Sequence, residues 1–273
     1  MSQVDAIVGA GGYGKPNDPL YPLVKDGPKA MLPVAGRPMI QWVLDALAAS
    51  DRIGQVVVIG LPADSRLTCG GKRLDFIPSA GNIVDNARAG MRRVLELNPS
   101  AQYALWASAD IPAARGEHVN WIVDACLQTD HDFYYTVIER AVMEKRYPES
   151  RRSYTYLKGA TVCGGDMNMI ATRMAQGVNP LWDKITAARK SVFKQASLIG
   201  FDTLALLAFR QLTVERVVEA VGKRLGLTGR AVFCPYAEVG MDVDKPFQYE
   251  IVKRDLEKSQ IPNSKSQTAN TGR

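Results

Sequence analysis

The chain has 273 residues, of which 46% are hydrophobic and 23% are charged. These values are typical of a globular protein and exclude a wholly disordered chain, a collagen-like fibre and a long coiled coil. The 34 basic and 28 acidic side chains leave a net charge of +6, a mild excess that suits a polyanionic ligand without identifying one. Neither an apolar run of about 18 residues nor a basic region followed by an apolar core at the N-terminus occurs, so no membrane span and no secretory signal are expected.

The numbers and positions of cysteine and histidine limit the kinds of metal site and catalytic base that the chain can form. Four cysteines are far apart and form no CxxC pair, which predicts free, buried thiols and a reduced, cytoplasmic setting. They are Cys69, Cys126, Cys163 and Cys234. The two histidines, His118 and His131, exclude a His-rich zinc site and argue against a histidine base.

The first half of the chain alternates apolar strands with amphipathic helices. In chain order the predicted elements are a strand at 4–8, a helix at 38–47, a strand at 55–59, a helix at 82–97, a strand at 103–109, a helix at 119–127 and a strand at 132–138. This alternation predicts βαβ units with right-handed crossovers and a mainly parallel sheet.

The pattern changes after about residue 140. The elements predicted there are two short strands within 154–170, helix over most of 179–225, a strand at 231–244 and a helix at 247–258. The polar residues 259–273 contain no apolar cluster and are predicted to form a disordered tail. Residues 1–258 are therefore interpreted as a single α/β domain with a helical insertion at about 177–228.

A glycine-rich loop, Gly9-Ala10-Gly11-Gly12-Tyr13-Gly14, follows the first strand. It matches the GxGxxG dinucleotide fingerprint, but that motif must open a helix, and Pro16 and Pro19 block one. It also resembles a P-loop, but the Ser or Thr required after Lys15 is replaced by Pro16. A third interpretation needs no helix: successive backbone N–H groups form an anion-binding nest, and Lys29 supplies a positive charge.

The glycines together with a later segment resemble a known family. Ala-Gly-Gly, a loop, and then Pro-Lys-Ala-Met-Leu-Pro-Val-Ala-Gly-Arg-Pro-Met-Ile over 28–40 are similar to the opening of MobA-like NTP transferases, which are related to molybdenum-cofactor guanylyltransferases, cytidylyltransferases and sugar-nucleotide pyrophosphorylases. The resemblance implies a three-layer α/β/α, Rossmann-like nucleotidyltransferase (GT-A type) fold. It also implies that Ala10, Gly11 and Gly12 cradle an NTP and that Lys29 contacts its phosphates. The arginine that often follows the glycines in this family is missing, and Lys15 or Lys25 is expected to replace it.

The segment Ser79-Ala80-Gly81-Asn82-Ile83-Val84-Asp85-Asn86 resembles the part of the family that reads the nucleotide base. The resemblance implies base contacts from Ala80, Gly81 and Asn86, where the family usually has Ser at the last position. An alternative interpretation is a helix start capped by Asn82.

Three aspartates are candidates for a metal site. Asp110 follows an apolar strand, and ligands of open α/β sheets bind at the carboxyl ends of strands. It matches the family's metal-binding Asp-x-Pro, and Asp242 and Asp244, in Gly240-Met241-Asp242-Val243-Asp244, match its closing Asp-x-Asp segment. The resemblance therefore implies Mg²⁺ on Asp110 and Asp242, with Asp244 as second choice; Asp244 could instead cap the last helix. Gly164-Gly165-Asp166 resembles an acceptor-side segment but is also compatible with a simple turn.

The sequence thus predicts a Mg²⁺-dependent nucleotidyltransferase that joins an NTP to a small, phosphorylated acceptor and releases pyrophosphate, with Lys29 and Asp110 as catalytic residues. Neither nucleic acid nor membrane is an expected partner, and the helical stretch is expected to shape the acceptor pocket or a homodimer contact. An NAD(P)-binding oxidoreductase, a non-catalytic nucleotide-binding regulator and a glycosyltransferase remain as alternatives.

Overall fold

A nine-stranded sheet forms the centre of the chain in the computed structural model, which describes residues 2–176 and 211–260. In chain order the strands are β1 (Val4–Gly9), β2 (Pro33–Val34), β3 (Arg37–Pro38), β4 (Ile53–Ile59), β5 (Leu74–Ile77), β6 (Tyr103–Ser108), β7 (Phe133–Glu139), β8 (Thr155–Leu157), β9 (Ala160–Gly164), β10 (Met167–Ala171) and β11 (Gly229–Phe233). The helices are α1 (Tyr21–Val24), α2 (Met39–Ala49), α3 (Ile83–Leu97), α4 (Gly116–Cys126), α5 (Arg140–Arg146), α6 (Val214–Leu225) and α7 (Pro246–Gln260).

The sheet is mixed, with most strands running in one direction. Its order is β5-β4-β1-β6-β10-β7-β9-β8, with β11 also paired to β7 and with β2 and β3 in a small separate sheet. Strands β5, β4, β1 and β6 are parallel neighbours, β11 is parallel to β7, and β10 and β9 run in the opposite direction to β7. The predicted sheet, mainly parallel and flanked by helices, is confirmed.

Helices cover both faces of the sheet, as the alternation along β1 requires. Ala6 and Val8 belong to the larger core, which packs under α2, α4, α5 and α7, whereas Ile7 belongs to the core under α3. Successive side chains of a strand point to opposite faces, so one buried strand serves both layers. The described cysteines are all buried and unpaired, as predicted.

Several predicted elements differ from the observed ones. The predicted strand at 231–244 is wrong beyond Phe233, because Pro235 cannot continue the ladder and the chain enters a 3₁₀ turn at Ala237–Gly240. Three strands, rather than two, occupy 154–170, and β5 and α5 were not predicted.

The predicted insertion and the predicted tail lie only partly within the residues that the structure describes. Helix α7 extends two residues beyond the predicted end at 258, and the rest of the predicted tail lies outside the described residues, as does the part of the helical insertion at 177–210. No helix in 2–176 or 211–260 is long and apolar enough to cross a membrane.

The sheet brings three strand ends together at one edge. Gly9, at the end of β1, pairs in register with Ile59 at the end of β4 and with Ser108 at the end of β6. The glycine loop therefore lies between the segments that follow β4 and β6, and Asp110 follows the second of these.

Candidate active site

The glycine loop is held close to its neighbours by backbone contacts. The N–H of Ala10 donates to the carbonyl of Ile59 at 2.8 Å, and the N–H of Ala109 donates to the carbonyl of Gly9 at 3.2 Å. A Cβ on Gly11 would lie 2.9 Å from the hydroxyl oxygen of Ser79. The absence of a side chain at Gly11 therefore lets the glycine loop approach Ser79 closely. The backbone of Gly11 thus lies beside the segment predicted to read the base.

The loop does not open a helix. The next helix, α1, begins only at Tyr21 and has four residues. A dinucleotide fingerprint needs a helix N-terminus directly after its glycines to hold the pyrophosphate. The geometry expected of an NAD(P) site is therefore missing at this loop.

Lys29 lies against the same loop. Its backbone N–H donates to the carbonyl of Gly12 at 2.8 Å, and its ammonium forms an ion pair with Asp18. Burial raises the pKa of Asp18, but hydrogen bonds from Lys29 and from the backbone of Leu20 outweigh it, and the net pKa lies below the ordinary value. Lys29 is 26% exposed, so its charge is paired internally yet open to a competing anion.

Lys29 and Asp110 line one small cavity. It has a volume of about 70 Å³, and its walls also include Gly12, Ala30 and Val243. The cavity places a flexible cation, a carboxylate and the glycine loop around a single space. Positive and negative groups in that arrangement suit a polyphosphate accompanied by a cation.

Lys15 and Lys25 lie on the stretch that follows the glycines. Both are exposed. The N–H of Gly14 donates to the carbonyl of Gly27 at 3.0 Å, and a Cβ on Gly14 would lie 1.8 Å from the carbonyl oxygen of Lys25. The two lysines therefore sit near each other across this junction, and which of them replaces the family's arginine stays a prediction.

The segment predicted to contact the base is shaped by Asn86. Its side-chain oxygen accepts from the N–H of Ala80 at 2.7 Å and from the hydroxyl of Ser79 at 3.3 Å, so this buried side chain folds the loop. Ala80 and Gly81 are exposed, but their N–H groups donate to the side chains of Asn86 and Ser79, so a base would meet backbone groups other than these two donors. The contacts that a base would make with these residues stay a prediction.

Asn82 caps α3. Its side-chain oxygen accepts from the N–H groups of Val84 and Asp85, at 3.0 and 3.1 Å. The interpretation of this asparagine as a helix cap is confirmed, and the cap fixes where the base segment ends and α3 begins.

Asp110 is a buried carboxyl group with an unused oxygen. Burial, together with the negative charges of Asp242 and Asp244, raises its pKa to about 6. Its Oδ1 atom is buried without a hydrogen-bond partner. The backbone connects the two acidic segments, since the N–H of Val243 donates to the carbonyl of Asp110 at 2.9 Å.

Asp242 and Asp244 follow the 3₁₀ turn at Ala237–Gly240. Arg152 forms an ion pair with Oδ1 of Asp242, and the side chain of Gln248 donates to the same oxygen at 3.4 Å. Burial, and then the charge of Asp242, raise the pKa of Asp244, while Lys29 and Arg152 lower it. The fold therefore places both carboxylates close enough to Asp110 for their charges to act on it.

Asp166 is a fourth carboxylate, which the sequence interpretation placed in an acceptor-side segment or a simple turn and did not assign to the metal site. It stands between β9 and β10, where its carbonyl accepts from the N–H of Ser108 at 2.9 Å. Burial and the charges of Asp110 and Asp242 raise its pKa to about 8, and its Oδ2 atom is buried without a partner. Only strand pairing, which aligns Met167 with Ala107, brings it beside Asp110.

Arg152 was also missed, because it lies in an irregular segment between α5 and β8 that has no periodic pattern. It donates to Asp242 and, at 3.4 Å, to the carbonyl of Gly164. We define the carboxylate cluster as Asp110, Asp166, Asp242 and Asp244. The described cations that act on it are Arg152 and, through Asp244, Lys29.

A pair of these aspartates, rather than the whole carboxylate cluster, has the chemistry that a hard divalent cation prefers. Two oxygens of the cluster, one each on Asp110 and Asp166, are buried without partners, and burial of unpaired carboxylates is costly unless a proton or a cation neutralises them. No group of three or more His, Cys, Asp or Glu side chains in 2–176 and 211–260 is already arranged to hold a metal. Mg²⁺ commonly takes only one or two carboxylates and completes its shell with water and phosphate oxygens, so a pair of aspartates suffices.

Comparison with known proteins identifies the family. Residues 6–197 match the sequence model of the MobA-like NTP transferase domain, which is well over half of the chain. No curated protein matches the chain significantly.

Solved structures share the fold. A hypothetical transferase from Thermus thermophilus is 27% identical, with a TM-score of 0.75 over 90% of this chain and 100% of its own. CMP:2-keto-3-deoxy-manno-octonic acid synthetase, solved with CTP, is 14% identical, with a TM-score of 0.61 over 94% of this chain and 100% of its own. 2-C-methyl-D-erythritol 4-phosphate cytidylyltransferase from Thermus thermophilus is 16% identical, with a TM-score of 0.52 over 94% of this chain and 99% of its own. The predicted nucleotidyltransferase fold is confirmed.

Proposed function

The chain belongs to the MobA-like NTP transferase family and is a nucleotidyltransferase, and from that premise we propose that it transfers a nucleoside monophosphate from an NTP to a small phosphorylated acceptor in the presence of Mg²⁺. The observation that carries the proposal is the small cavity lined jointly by Gly12, Lys29 and Asp110. It collects the polyphosphate-binding loop, a flexible cation and a carboxylate around one space.

In the proposed reaction an acceptor oxygen forms a bond to the α-phosphorus, the bond from that phosphorus to the bridging α,β-oxygen breaks, and pyrophosphate leaves. A phosphomonoester is largely ionised near pH 7, because its second pKa lies at about 6. The acceptor oxygen is then nucleophilic without a protein base. A reaction that needs no protein base agrees with a site built, in its described residues, of aspartates, lysine and arginine, without a histidine.

In this proposal the ammonium of Lys29 neutralises part of the negative charge of the triphosphate. Its ammonium now pairs with Asp18, and an NTP phosphate would compete with that carboxylate for it. A flexible lysine acts as a point charge that can follow the phosphates from the bound substrate to the departing pyrophosphate. Charge neutralisation and positioning are the main contributions expected of a protein in phosphoryl-type transfer.

Asp110 and Asp242 would hold Mg²⁺, and Asp244 is the second choice beside Asp242. When bound, Mg²⁺ neutralises phosphate charge and orients the reacting oxygens. Arg152 occupies Oδ1 of Asp242, so the other oxygen of that carboxylate is the one offered to the cation. Hydrogen bonds to metal-ligating carboxylates fix their orientation, which is the role assigned to Arg152 and Gln248 here.

The test is pyrophosphate release measured over a matrix of NTPs and phosphorylated acceptors. Lys29→Ala and Asp110→Ala should each reduce turnover by about 10²–10³-fold while the protein remains folded. Lys145→Ala, at an exposed position on α5, is the control for loss of a lysine. Wild-type-like release by either active-site variant would remove that residue from the mechanism. NTP binding without release for every acceptor would favour a non-catalytic regulator.

A further inference from the structure

An apolar cavity of about 360 Å³ lies on the α3 side of the sheet. Its floor is formed by β6, β10 and β7, one wall by the first turn of α3, and the other by the end of α6 and the residues after it. The side chains that define it are Ile83, Trp106, Phe133, Tyr135, Leu225 and Leu227. Concave, mainly apolar pockets of this size are typical of small-molecule sites.

Few polar groups of its described lining face a ligand. The side chain of Asn168 is held by its own neighbours, since its oxygen accepts from the N–H of Thr136 at 2.9 Å and one of its two amide N–H groups donates to the carbonyl of Gly165 at 3.2 Å. The polar side-chain groups of this lining are the hydroxyl of Tyr135, the indole N–H of Trp106 and the second amide N–H of Asn168.

The cavity adjoins both the start of the glycine loop and the segment that leads to Asp166. The ring of Trp106 lies 2.6 Å from where a Cβ on Gly9 would stand, at the start of the glycine loop. The hydroxyl of Tyr135 lies 2.5 Å from the corresponding position on Gly164, and the charge of Asp166 acts on it. Ile83, which is 67% exposed, directly follows the segment that ends at Asn82.

We propose that this cavity holds the body of the acceptor, and that the acceptor is a phosphomonoester of an apolar ring or alkyl group rather than of a sugar or polyol. The proposal rests on the proposed function, because it takes the carboxylate cluster as the place where the acceptor's phosphate reacts. An apolar body would cover the side chains of Ile83 and Trp106 while its phosphate extends past Tyr135 toward Asp166.

Desolvation separates the two kinds of acceptor. A polyol in this cavity would lose water from several hydroxyl groups and find few partners, and each unpaired hydroxyl weakens binding by about tenfold. An apolar ring of similar size gains affinity from the surface it removes from water. We therefore expect phenyl phosphate to bind at least about tenfold more tightly than glycerol 1-phosphate.

Calorimetric titration of the full-length protein with these two probes tests the inference, in the presence of Mg²⁺ and a non-hydrolysable NTP analogue and again without nucleotide. Ile83→Asn places an amide on the cavity wall at an exposed position and should weaken phenyl phosphate by about fivefold or more without weakening glycerol 1-phosphate. Leu23→Asn, at an exposed apolar residue outside the cavity, is the matched control and should change neither.

Tighter or equal binding of glycerol 1-phosphate, undetectable binding of phenyl phosphate, or identical effects of the two variants would overturn the inference. The proposed function fails separately. A preference for phenyl phosphate without pyrophosphate release from any NTP would overturn the proposed function alone. Efficient release with polyol phosphates and none with apolar phosphates would overturn the cavity assignment alone.

Discussion

Replacing Asp110 by asparagine should stabilise the cation-free protein while removing its activity. The carboxyl group is buried beside Asp242 and Asp244, and its pKa is raised from 3.8 to about 6. The folded protein therefore binds this proton more tightly than the unfolded chain does. The resulting penalty is absent below about pH 4, grows between pH 4 and 6, and is complete above pH 6.

The size of the effect follows from that difference in pKa. Between 3.8 and about 6 it corresponds to about 3 kcal/mol of unfolding free energy once the group is ionised. Asparagine keeps the shape of the side chain and carries no charge. Asp110→Asn should therefore be more stable than the wild type by about 2–3 kcal/mol at pH 8 in a chelator, and this advantage should shrink as the pH falls toward 4.

Urea unfolding at several pH values, with EDTA or with Mg²⁺, measures both parts of the prediction. Mg²⁺ should stabilise the wild type and should have a much smaller effect on Asp110→Asn, because the variant lacks a ligand. Asp64→Asn, at an exposed position, is the control and should behave like the wild type in every condition. Equal or lower stability of Asp110→Asn at pH 8 would contradict the reasoning, as would an undiminished response to Mg²⁺.

Three further predictions follow from the same cluster and loop. Because the pKa of Asp166 is raised to about 8, protons should compete with the cation, and Mg²⁺ affinity measured by calorimetry should rise as the pH increases from 6 to 8.5; a flat profile would separate Asp166 from the cation. Arg152→Met removes the cationic partner of Asp242 and should lower the unfolding free energy by about 2–4 kcal/mol in urea, against no change for the exposed control Arg92→Met. Gly14→Ala would force a Cβ to within 1.8 Å of the carbonyl of Lys25 and should lower the thermal midpoint, whereas Gly12→Ala, with its nearest neighbour at 3.7 Å, should keep the midpoint and lose NTP affinity; the reverse order would show that the loop moves freely.

Local patterns along the chain were enough to predict the order of the main elements. Apolar runs such as 55–59 can be buried only between two helical layers, and the period of α3 places Met91 and Val94 on one face. Glycine and proline restrict the backbone locally and so excluded a helix directly after the glycine loop, whereas the role of Lys29 came from the family resemblance of residues 28–40. Those restrictions are properties of the residues themselves, independent of what packs around them.

What only the tertiary structure decided is which distant groups share a charge environment. Asp166 and Arg152 carry no local pattern, and they join Asp110 and Asp242 because β10 inserts between β6 and β7 and because the chain turns at Ala237–Gly240. Side-chain pKa values depend on burial and on charges within a few ångströms, and these distances are set by strand pairing across more than 50 positions of the chain. The sequence alone therefore determined the layers and the glycine loop, and its family resemblance named Asp110, Asp242 and Asp244, whereas packing added Asp166 and Arg152 to that cluster and formed the apolar cavity beside it.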